Sequence, residues 1–595
     1  MTPNSIDPTG RKRFGILLFL SIFLLLPFLG LTLFNTKGEP REAIVALSML
    51  NSNNWILPVN NGGEMAYKPP FFHWLIALFS SILNHGQINE YLSRLPSALS
   101  LIAMIAAGYR FYGKRKNYTL AFIMGLLTLT NFEVHRAGAN CRVDMLLTVC
   151  MVGALYLLYI GHEKRKTIYY ILALLCMSGA MLTKGPVGIL LPCMVGFVYE
   201  LCQKEKFGTV LLRYIAIGIG SLVIPMIWYV AAYQEGGQKF FDLVWEENIL
   251  RFTGKMSYGS HENPPIYNVM TILTGMLPYT ILVVMGLCAI HLKSAGQIVH
   301  ATWWKQQWLQ LKSMDSLRLF TLLSFVIIFV FYCIPKSKRS VYLLPVYPFM
   351  CYFLAEYMHY LWNQKYRIII LFGRLLATLI IIVSIASIIL HFLPIPEIFM
   401  KGNNAQIIGA LHDLPWTFWN VAGILIPLYL GIYYWISSVK QKSNWLFYGA
   451  LILPYSILFA LDCHYQPTLL NERSDKLIVD KINHRFPEGD IHSYIYMPDF
   501  NIASKMHYFT LNFYLNDRVK QYEQQLPASG YVIMGDFDYK EHFFPTFAQA
   551  YDIREVENLH HKSCDTKQEL SIYYFSKKEN NDFPQATPKQ NKKKS

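Results

Sequence analysis

Charged side chains are scarce in this 595-residue chain. Asp, Glu, Lys and Arg together make up 15% of it, where soluble globular proteins carry about 25%. So low a fraction excludes an ordinary water-soluble enzyme. Disorder is excluded too, because 53% of the residues are hydrophobic and 15% aromatic, and disordered chains are poor in both. Cysteine is sparse, ten in all, and most of these fall in apolar stretches, at Cys150, Cys176, Cys193, Cys202, Cys288 and Cys351. There they read as small packing residues. None has metal-ligand spacing, which argues against a cysteine-based zinc module. Cys463 and Cys564 are expected outside the membrane, where one disulfide between them is open. No internal repeat of fixed period occurs.

Apolar runs are what the chain has in abundance, many approaching or exceeding the roughly 20 residues that cross a bilayer. They fall at about 14–34, 91–112, 118–132, 144–161, 167–183, 186–202, 209–232, 265–291, 317–334, 340–361, 367–393, 415–437 and 444–462. The fold expected is therefore a polytopic α-helical membrane protein with about 13 transmembrane helices. Residues 1–462 form its membrane part, with long external loops at 35–90 and 233–264. The first run has a basic flank, no small-residue cleavage site and more length than a signal peptide's apolar core, so it is expected to stay as an anchor.

Cations outnumber acids by 53 − 38 = 15. Their positions decide what the excess means. Arg11-Lys12-Arg13, Lys114-Arg115-Lys116, Lys164-Arg165-Lys166, Lys204 with Lys206, Lys365 with Arg367, and Lys440 with Lys442 all fall on one side of the expected topology. Lys293, Lys305 and Lys312 in the 292–316 loop agree. This is the positive-inside pattern of cytoplasmic loops, so no nucleic acid is needed to explain a pI of about 9.1. The N-terminus is then cytoplasmic and everything after residue 462 lies outside. Residues 463–576 turn polar and mixed and read as a small extracytoplasmic α/β domain. Its helices are expected at 474–485 and 502–515 and its strands at 492–497, 530–534 and 570–576. Residues 577–595 read as a disordered basic tail.

The informative charges are those on the wrong side. Arg41, Lys68, Arg136, Arg142, Lys184, Arg251, Lys255, Lys336, Lys338 and Arg339 are all assigned to the outer face. Lipid-headgroup snorkelling explains any one of them. Several together, flanked by Glu39, Glu42, Glu64, Glu133, Asp144, Glu246, Glu247 and Glu262, point to an anionic substrate whose phosphate oxygens they neutralise. Asp144 stands at the start of an apolar span, where an ionisable group is costly and by default functional. Its bland alternatives are a salt bridge to Arg142 or a favourable place at a helix N-terminus. The first loop adds an amphipathic stretch at 42–50 and an apolar one at 71–83, both helix-like and suited to lie on the membrane surface. A carboxylate beside an acceptor hydroxyl and cations around a departing phosphate together suggest group transfer from a phosphate-bearing lipid.

These pieces carry a resemblance. Gly38-Glu39-Pro40-Arg41-Glu42, Trp55-Ile-Leu-Pro58, Tyr67-Lys68-Pro69-Pro70, Arg94-Leu-Pro-Ser97, Cys141-Arg-Val-Asp-Met145, Leu182-Thr-Lys-Gly-Pro186, Glu247-Asn-Ile-Leu-Arg-Phe252, His261 with Pro264-Pro265-Ile-Tyr267, and Ser337-Lys-Arg-Ser-Val-Tyr342 follow in order. In this the chain resembles the multispanning GT-C glycosyltransferases related to aminoarabinose transferase and, more distantly, the protein O-mannosyltransferases. The resemblance implies an inverting transfer of a sugar from a polyprenyl-phosphate donor to an extracytoplasmic acceptor such as lipid A, a glycan or a protein, at a bacterial inner membrane. It implies Glu39 and Asp144 as catalytic carboxylates, and Arg41, Lys68, Lys184, Arg251, Lys336, Lys338 and Tyr342 as ligands of the donor phosphate.

Two departures qualify it. The family's first-loop Asp is here Gly38, which leaves Glu39 and Arg41. The family's acid before Lys-Pro is here Tyr67, so a structural zinc would rest on Glu64 and His261 alone, short of a tetrahedral set; no cofactor is otherwise required. Two other readings remain open at this point. A transporter or flippase of anionic lipid-linked substrates would also line a cavity with cations, though it usually shows repeated halves. A sensor or assembly module with an inert membrane part would fit the loss of the Asp.

Overall fold

The structure is a computed structural model and describes residues 8–255, 261–289, 313–393, 403–439, 443–487, 489–497 and 506–578. Lys293, Lys305 and Lys312, with the 292–312 part of their loop, lie outside the described residues, as do Lys440, Lys442 and the tail from residue 579.

Asparagine starts three consecutive helices of the membrane part. Asn89, Asn117 and Asn131 each accept a backbone N–H three residues ahead, at 2.9, 2.7 and 3.1 Å, and so satisfy one orphan donor at the N-termini of Glu90–Arg115, Tyr118–Leu129 and Phe132–Ala139. Among the described residues nine helices are long and apolar enough to cross a membrane, or ten if the pair Ile266–Gly275 and Tyr279–Cys288, bent by 102°, is one span. The chain is thus a multi-pass helical membrane protein. The other three expected spans coincide with helices that fall short of that test: Tyr118–Leu129 and Val187–Cys202 are short, and Pro8–Leu25 has 18 residues and carries Arg11, Lys12 and Arg13.

Helices in lipid gain nothing from burying apolar surface against one another, so close backbone approach matters more. Helices Tyr366–Phe392 and Phe418–Val439 show it: the Tyr434 hydroxyl lies 2.1 Å from where a Cβ on Gly373 would stand. At the end of the membrane part that holds the Lys164–Lys166 turn, Glu200 is fully buried and accepts from Arg213 and, at 3.2 Å each, from the Tyr170 and Tyr214 hydroxyls. Glu200→Gln keeps an oxygen for the tyrosines but loses the ion pair. It is expected to cost about 1–2 kcal/mol, read as a lower thermal midpoint in detergent.

The external loop expected at 233–264 is mostly helical. The helix Phe207–Trp245 runs on past the apolar stretch, breaks at Gly237, whose φ of +56° suits a residue without a Cβ, and continues through Glu246–Leu250 and Arg251–Thr253. Hydropathy marked where the chain gains polarity, and helical backbone did not stop there. The two helices expected in the first loop form at Pro40–Ser52 and Phe71–Leu83.

Backbone contacts divide the chain into two units. One comprises Met1–Leu33, Val45–Pro58 and Met65–Glu472; the other comprises Phe34–Ile44, Val59–Glu64 and Arg473–Ser595. The second is built on a five-stranded sheet in the order Val519–Gln521, Ile491–Ser493, Ser529–Gly535, Glu569–Lys577, Tyr551–Lys562. The first two pairings are parallel and the last two antiparallel. Alternate residues of its strands feed two cores: Ile533, Leu570 and Ile572 pack with Ile482 and Leu511, while Val532, Met534, Tyr573 and Phe575 pack with Tyr522 and Phe543. A sheet covered on both faces explains the unbroken apolar runs in its central strands. Among the described residues the expected helix at 502–515 is confined to Phe509–Tyr514. Two strands escaped the sequence reading. Val519–Gln521 has only three residues, and Tyr551–Lys562 is a bulged edge strand whose charges hide its period.

Candidate active site

In the membrane unit, Asp144 lies in the first turn of Val143–Lys164 and Lys184 is the last residue of Thr167–Lys184. The turn between these helices is short, so they run as an antiparallel hairpin and bring the start of one beside the end of the other. Each charge therefore sits at the helix terminus that favours it. The Asp144 carboxylate is buried and pairs with the Lys184 ammonium, not with its near neighbour Arg142. The ammonium also lies 4.3 Å from the centroid of the Tyr342 ring, a cation–π contact. Gly185 ends the helix at φ +91°, and a Cβ there would meet Asn248 Oδ1 at 2.6 Å. The Thr-Lys-Gly-Pro motif thus requires glycine for both backbone and space. Asp144, Lys184 and Tyr342 are one constellation.

A second grouping joins Pro335–Lys338 to the segment after residue 260. Glu262 and Ser337 form an antiparallel bridge, the Lys338 N–H donates to the His261 carbonyl at 3.1 Å, and the Asn263 N–H donates to the Lys336 carbonyl at 3.2 Å. A Cβ on Gly254 would meet the Lys336 side chain at 2.6 Å. Lys338 is 4% exposed, and its ammonium donates to the Pro335 carbonyl. Among the described residues no carboxylate lies within ion-pair distance of it. A buried lysine with no counter-charge is costly and is what an anion would relieve. Arg251 is paired bidentately with Glu247, at 2.6 and 3.0 Å, and Arg136 likewise with Glu133, at 2.7 and 2.9 Å. Each of these two cations stands beside a carboxylate, unlike Lys338. Lys68 is half-buried just before Phe71–Leu83.

Glu39 and Arg41 belong to the other unit. Glu39 is buried immediately before Pro40–Ser52, and its carbonyl accepts the Glu42 and Ala43 N–H groups at 3.0 Å. A carboxylate there is favoured by the helix dipole. The Arg41 guanidinium lies 5.8 Å over the Phe509 ring.

Of the two residues implied for a zinc, Glu64 is half-buried and its Oε1 lies 2.6 Å from Nε2 of the buried His507. Among the described residues, the group of three that could hold a metal is Asp475, Cys564 and Asp565, which contains neither Glu64 nor His261. That cluster's own donors are spoken for. Asp475 Oδ1 accepts the Cys564 N–H at 2.9 Å and lies 2.9 Å from His561 Nε2, while its Oδ2 accepts the Ser563 hydroxyl at 3.2 Å. Burial and the two carboxylates push the Cys564 thiol up, away from the thiolate a metal would need. Cys463 and Cys564 are both free and buried, so no disulfide joins them. Cys463 is held in a helical stretch, Leu461–Tyr465, that prolongs the last span beyond its expected end. Sequence reasoning missed His507 and Asn248, whose partners lie far away along the chain and leave no local pattern.

Known proteins resemble this chain in sequence and in fold. Residues 67–229 match the family model for dolichyl-phosphate-mannose-protein mannosyltransferase. The chain is 25% identical over 429 residues to the undecaprenyl phosphate-alpha-4-amino-4-deoxy-L-arabinose arabinosyl transferase 2 of Proteus mirabilis, covering 70% of each. It is 26% identical over 344 residues to the corresponding transferase of Shewanella sediminis, covering 57% of this chain and 58% of that one. An Aquifex aeolicus relative without an assigned role is matched over 64% of its length, so the chain spans less than two thirds of two of these three. Its fold is that of ArnT from Cupriavidus metallidurans, solved bound to undecaprenyl phosphate: TM-score 0.66 at 17% identity, covering 96% of this chain and 98% of that one. The resemblance carried by the motifs is thereby borne out, and the chain is similar in sequence and in fold to the GT-C membrane glycosyltransferases of the aminoarabinose-transferase and protein-mannosyltransferase-like kind.

Proposed function

We propose that this protein transfers a sugar from a polyprenyl-phosphate donor to an acceptor at the outer face of a bacterial inner membrane, with inversion at the anomeric carbon. The observation that carries the reading is the buried Lys338, a cation without a carboxylate, close in sequence to the Asp144–Lys184–Tyr342 constellation through Tyr342. In the reaction the acceptor oxygen forms a bond to the anomeric carbon as the carbon–phosphate-oxygen bond breaks. The bonding pair leaves with the lipid phosphate, and the acceptor proton passes to a carboxylate.

We assign that carboxylate to Glu39, buried at the start of Pro40–Ser52 within the Gly38-Glu39-Pro40-Arg41 motif, and assign to Asp144 the role of orienting Lys184, with which it pairs. Lys338, Lys336, Lys68, Arg251, Arg41 and Lys184 balance the charge on the leaving phosphate, and Tyr342 orders Lys184. The reading keeps thirteen crossings, including the three helices Pro8–Leu25, Tyr118–Leu129 and Val187–Cys202, a cytoplasmic N-terminus and the sheet-bearing unit outside. Lipid A, a glycan and a protein all remain acceptors of suitable chemistry; lipid A has the added support that sequence relatives are aminoarabinose transferases. The transporter reading gains no support from any of these relatives.

The test is a reconstituted assay with radiolabelled polyprenyl-phosphate sugar. Release of lipid phosphate and label transfer are expected for the wild type. Losses on the order of a hundredfold are expected for Glu39→Gln and Lys338→Met, since one transition-state charge contact is worth that much. Wild-type turnover by both variants would falsify the assignment. Lipid scrambling in the same liposomes without sugar transfer would favour the transporter.

A further inference from the structure

Glu39 sits on a segment that belongs, by its contacts, to the sheet-bearing unit. Five residues earlier, the Phe34 backbone is clamped on both sides: its N–H donates to the Tyr514 hydroxyl at 2.9 Å and its carbonyl accepts the Ser474 hydroxyl at 2.6 Å. The Phe34 ring is fully buried and stands edge-on to Phe513 at 5.1 Å. Lys37 reaches Met506 Sδ at 3.2 Å, and Arg41 lies over Phe509. The same short helix, Phe509–Tyr514, also holds the second loop segment: Asn512 Nδ2 donates to Asn61 Oδ1 and to Asp517 Oδ1, both at 2.8 Å, and the Asn61 N–H donates to Asp517 Oδ1 at 2.9 Å. Four of the six residues of this helix, Phe509, Asn512, Phe513 and Tyr514, thus touch the loop at Phe34, Arg41 and Asn61.

We propose that helix Phe509–Tyr514 is the positioning element of the catalytic loop, with Tyr514, Asn512 and Phe509 as positioning residues that fix the Glu39 carboxylate and the Arg41 guanidinium. The proposal rests on Glu39 being the catalytic carboxylate. It gives the C-terminal unit a role in turnover and makes a sensor or bare assembly module unnecessary. The chemistry follows from reach. A loop held at residue 34 only by apolar contact would let Glu39 wander by about an ångström, and misplacement of that size costs up to about a hundredfold in rate. A single hydrogen bond lost from the clamp is worth about tenfold.

The test uses the full chain in liposomes with polyprenyl-phosphate sugar and separates kcat from KM. Tyr514→Phe keeps the ring and removes the acceptor of the Phe34 N–H. It is expected to lower kcat about tenfold, with KM for the lipid donor within about twofold and a thermal midpoint that falls slightly, the fall being the same in the wild-type and Glu39→Gln backgrounds. In a Glu39→Gln background the same substitution is expected to change the residual rate less than about twofold, because both act through one group. Equal losses in the two backgrounds overturn the proposal, since a merely structural effect adds. So does an unchanged kcat for Tyr514→Phe, Asn512→Ala and Phe509→Leu while Glu39→Gln is inactive. Full activity of Glu39→Gln instead removes the assignment beneath it. Should Asn512→Ala fail to fold, Asn512→Asp with Asp517→Asn restores one donor and one acceptor and is expected to recover kcat.

Discussion

Asp144→Asn is expected to lower sugar transfer on the order of a hundredfold, and restoring stability is not expected to restore the rate. The substitution leaves the Lys184 ammonium beside Tyr342 with no carboxylate. Breaking a buried pair by removing one partner is more destabilising than replacing both. The double variant Asp144→Asn, Lys184→Met is therefore expected to regain the thermal midpoint in detergent. If the pair only ties two helices together, activity returns with it. If Lys184 balances charge on the leaving phosphate, kcat stays low because the cation is gone. Lys184→Arg in the wild-type background adds a third measurement. Arginine keeps the charge but its planar fork does not fit a point-charge contact above a ring in the same way, so a partial loss, about tenfold, is expected. A double variant with wild-type kcat would move Lys184 out of the site and leave Lys338 as the cation that defines it.

The membrane part was legible because apolar runs report directly on lipid exposure. Each of the thirteen runs overlaps a helix, and among the described residues nine or ten helices qualify as crossings by length and composition. The stretch 233–253 was misread for the same reason. Hydropathy records the solvent around a side chain, and helical backbone resumes in the polar sequence beyond the break at Gly237 in Phe207–Trp245. At the site, Asp144 and Lys184 were each picked out as charges at the ends of apolar spans. Their pairing was available from helix lengths, 22 and 18 residues in an antiparallel hairpin, yet nearness in sequence pointed to Arg142 instead. The Glu64–His507 pair had no such signal. It depends on which segments of a long loop pack against a helix in another part of the chain, and neither composition nor spacing encodes that. The disulfide left open between Cys463 and Cys564 is not formed, since both are free.

A stability optimum on the acid side is expected for the sheet-bearing unit, and Asp565→Asn is expected to abolish it. Asp565 is buried and accepts the Thr510 N–H at 2.8 Å and the Thr510 hydroxyl at 3.1 Å. Burial first, and the charge of Asp475 second, push its carboxyl up to about 7, against the pull of the Thr510 bonds and of Lys37. An unfolded aspartate titrates near 3.9. A carboxyl whose folded pKa is raised favours the folded state while it is protonated. That stability is present below about pH 4 and is lost as pH climbs toward the folded value of about 7. The full loss is on the order of 2–4 kcal/mol. Asparagine cannot ionise, and its amide can accept from the Thr510 N–H while donating to the hydroxyl. At pH 8 the variant should therefore be more stable than the wild type by up to that amount, at pH 5 by about a third of it, and at pH 4 the two should nearly coincide. Hydrogen exchange of the hairpin Tyr551–Lys562 and Glu569–Lys577 in the full chain reads this directly, comparing variant with wild type at each pH so that intrinsic exchange cancels. His561, 2.9 Å from Asp475, lies in the same cluster and is present in both proteins, so the difference isolates Asp565. An equal gap at the three pH values would show that packing, not ionisation, separates them.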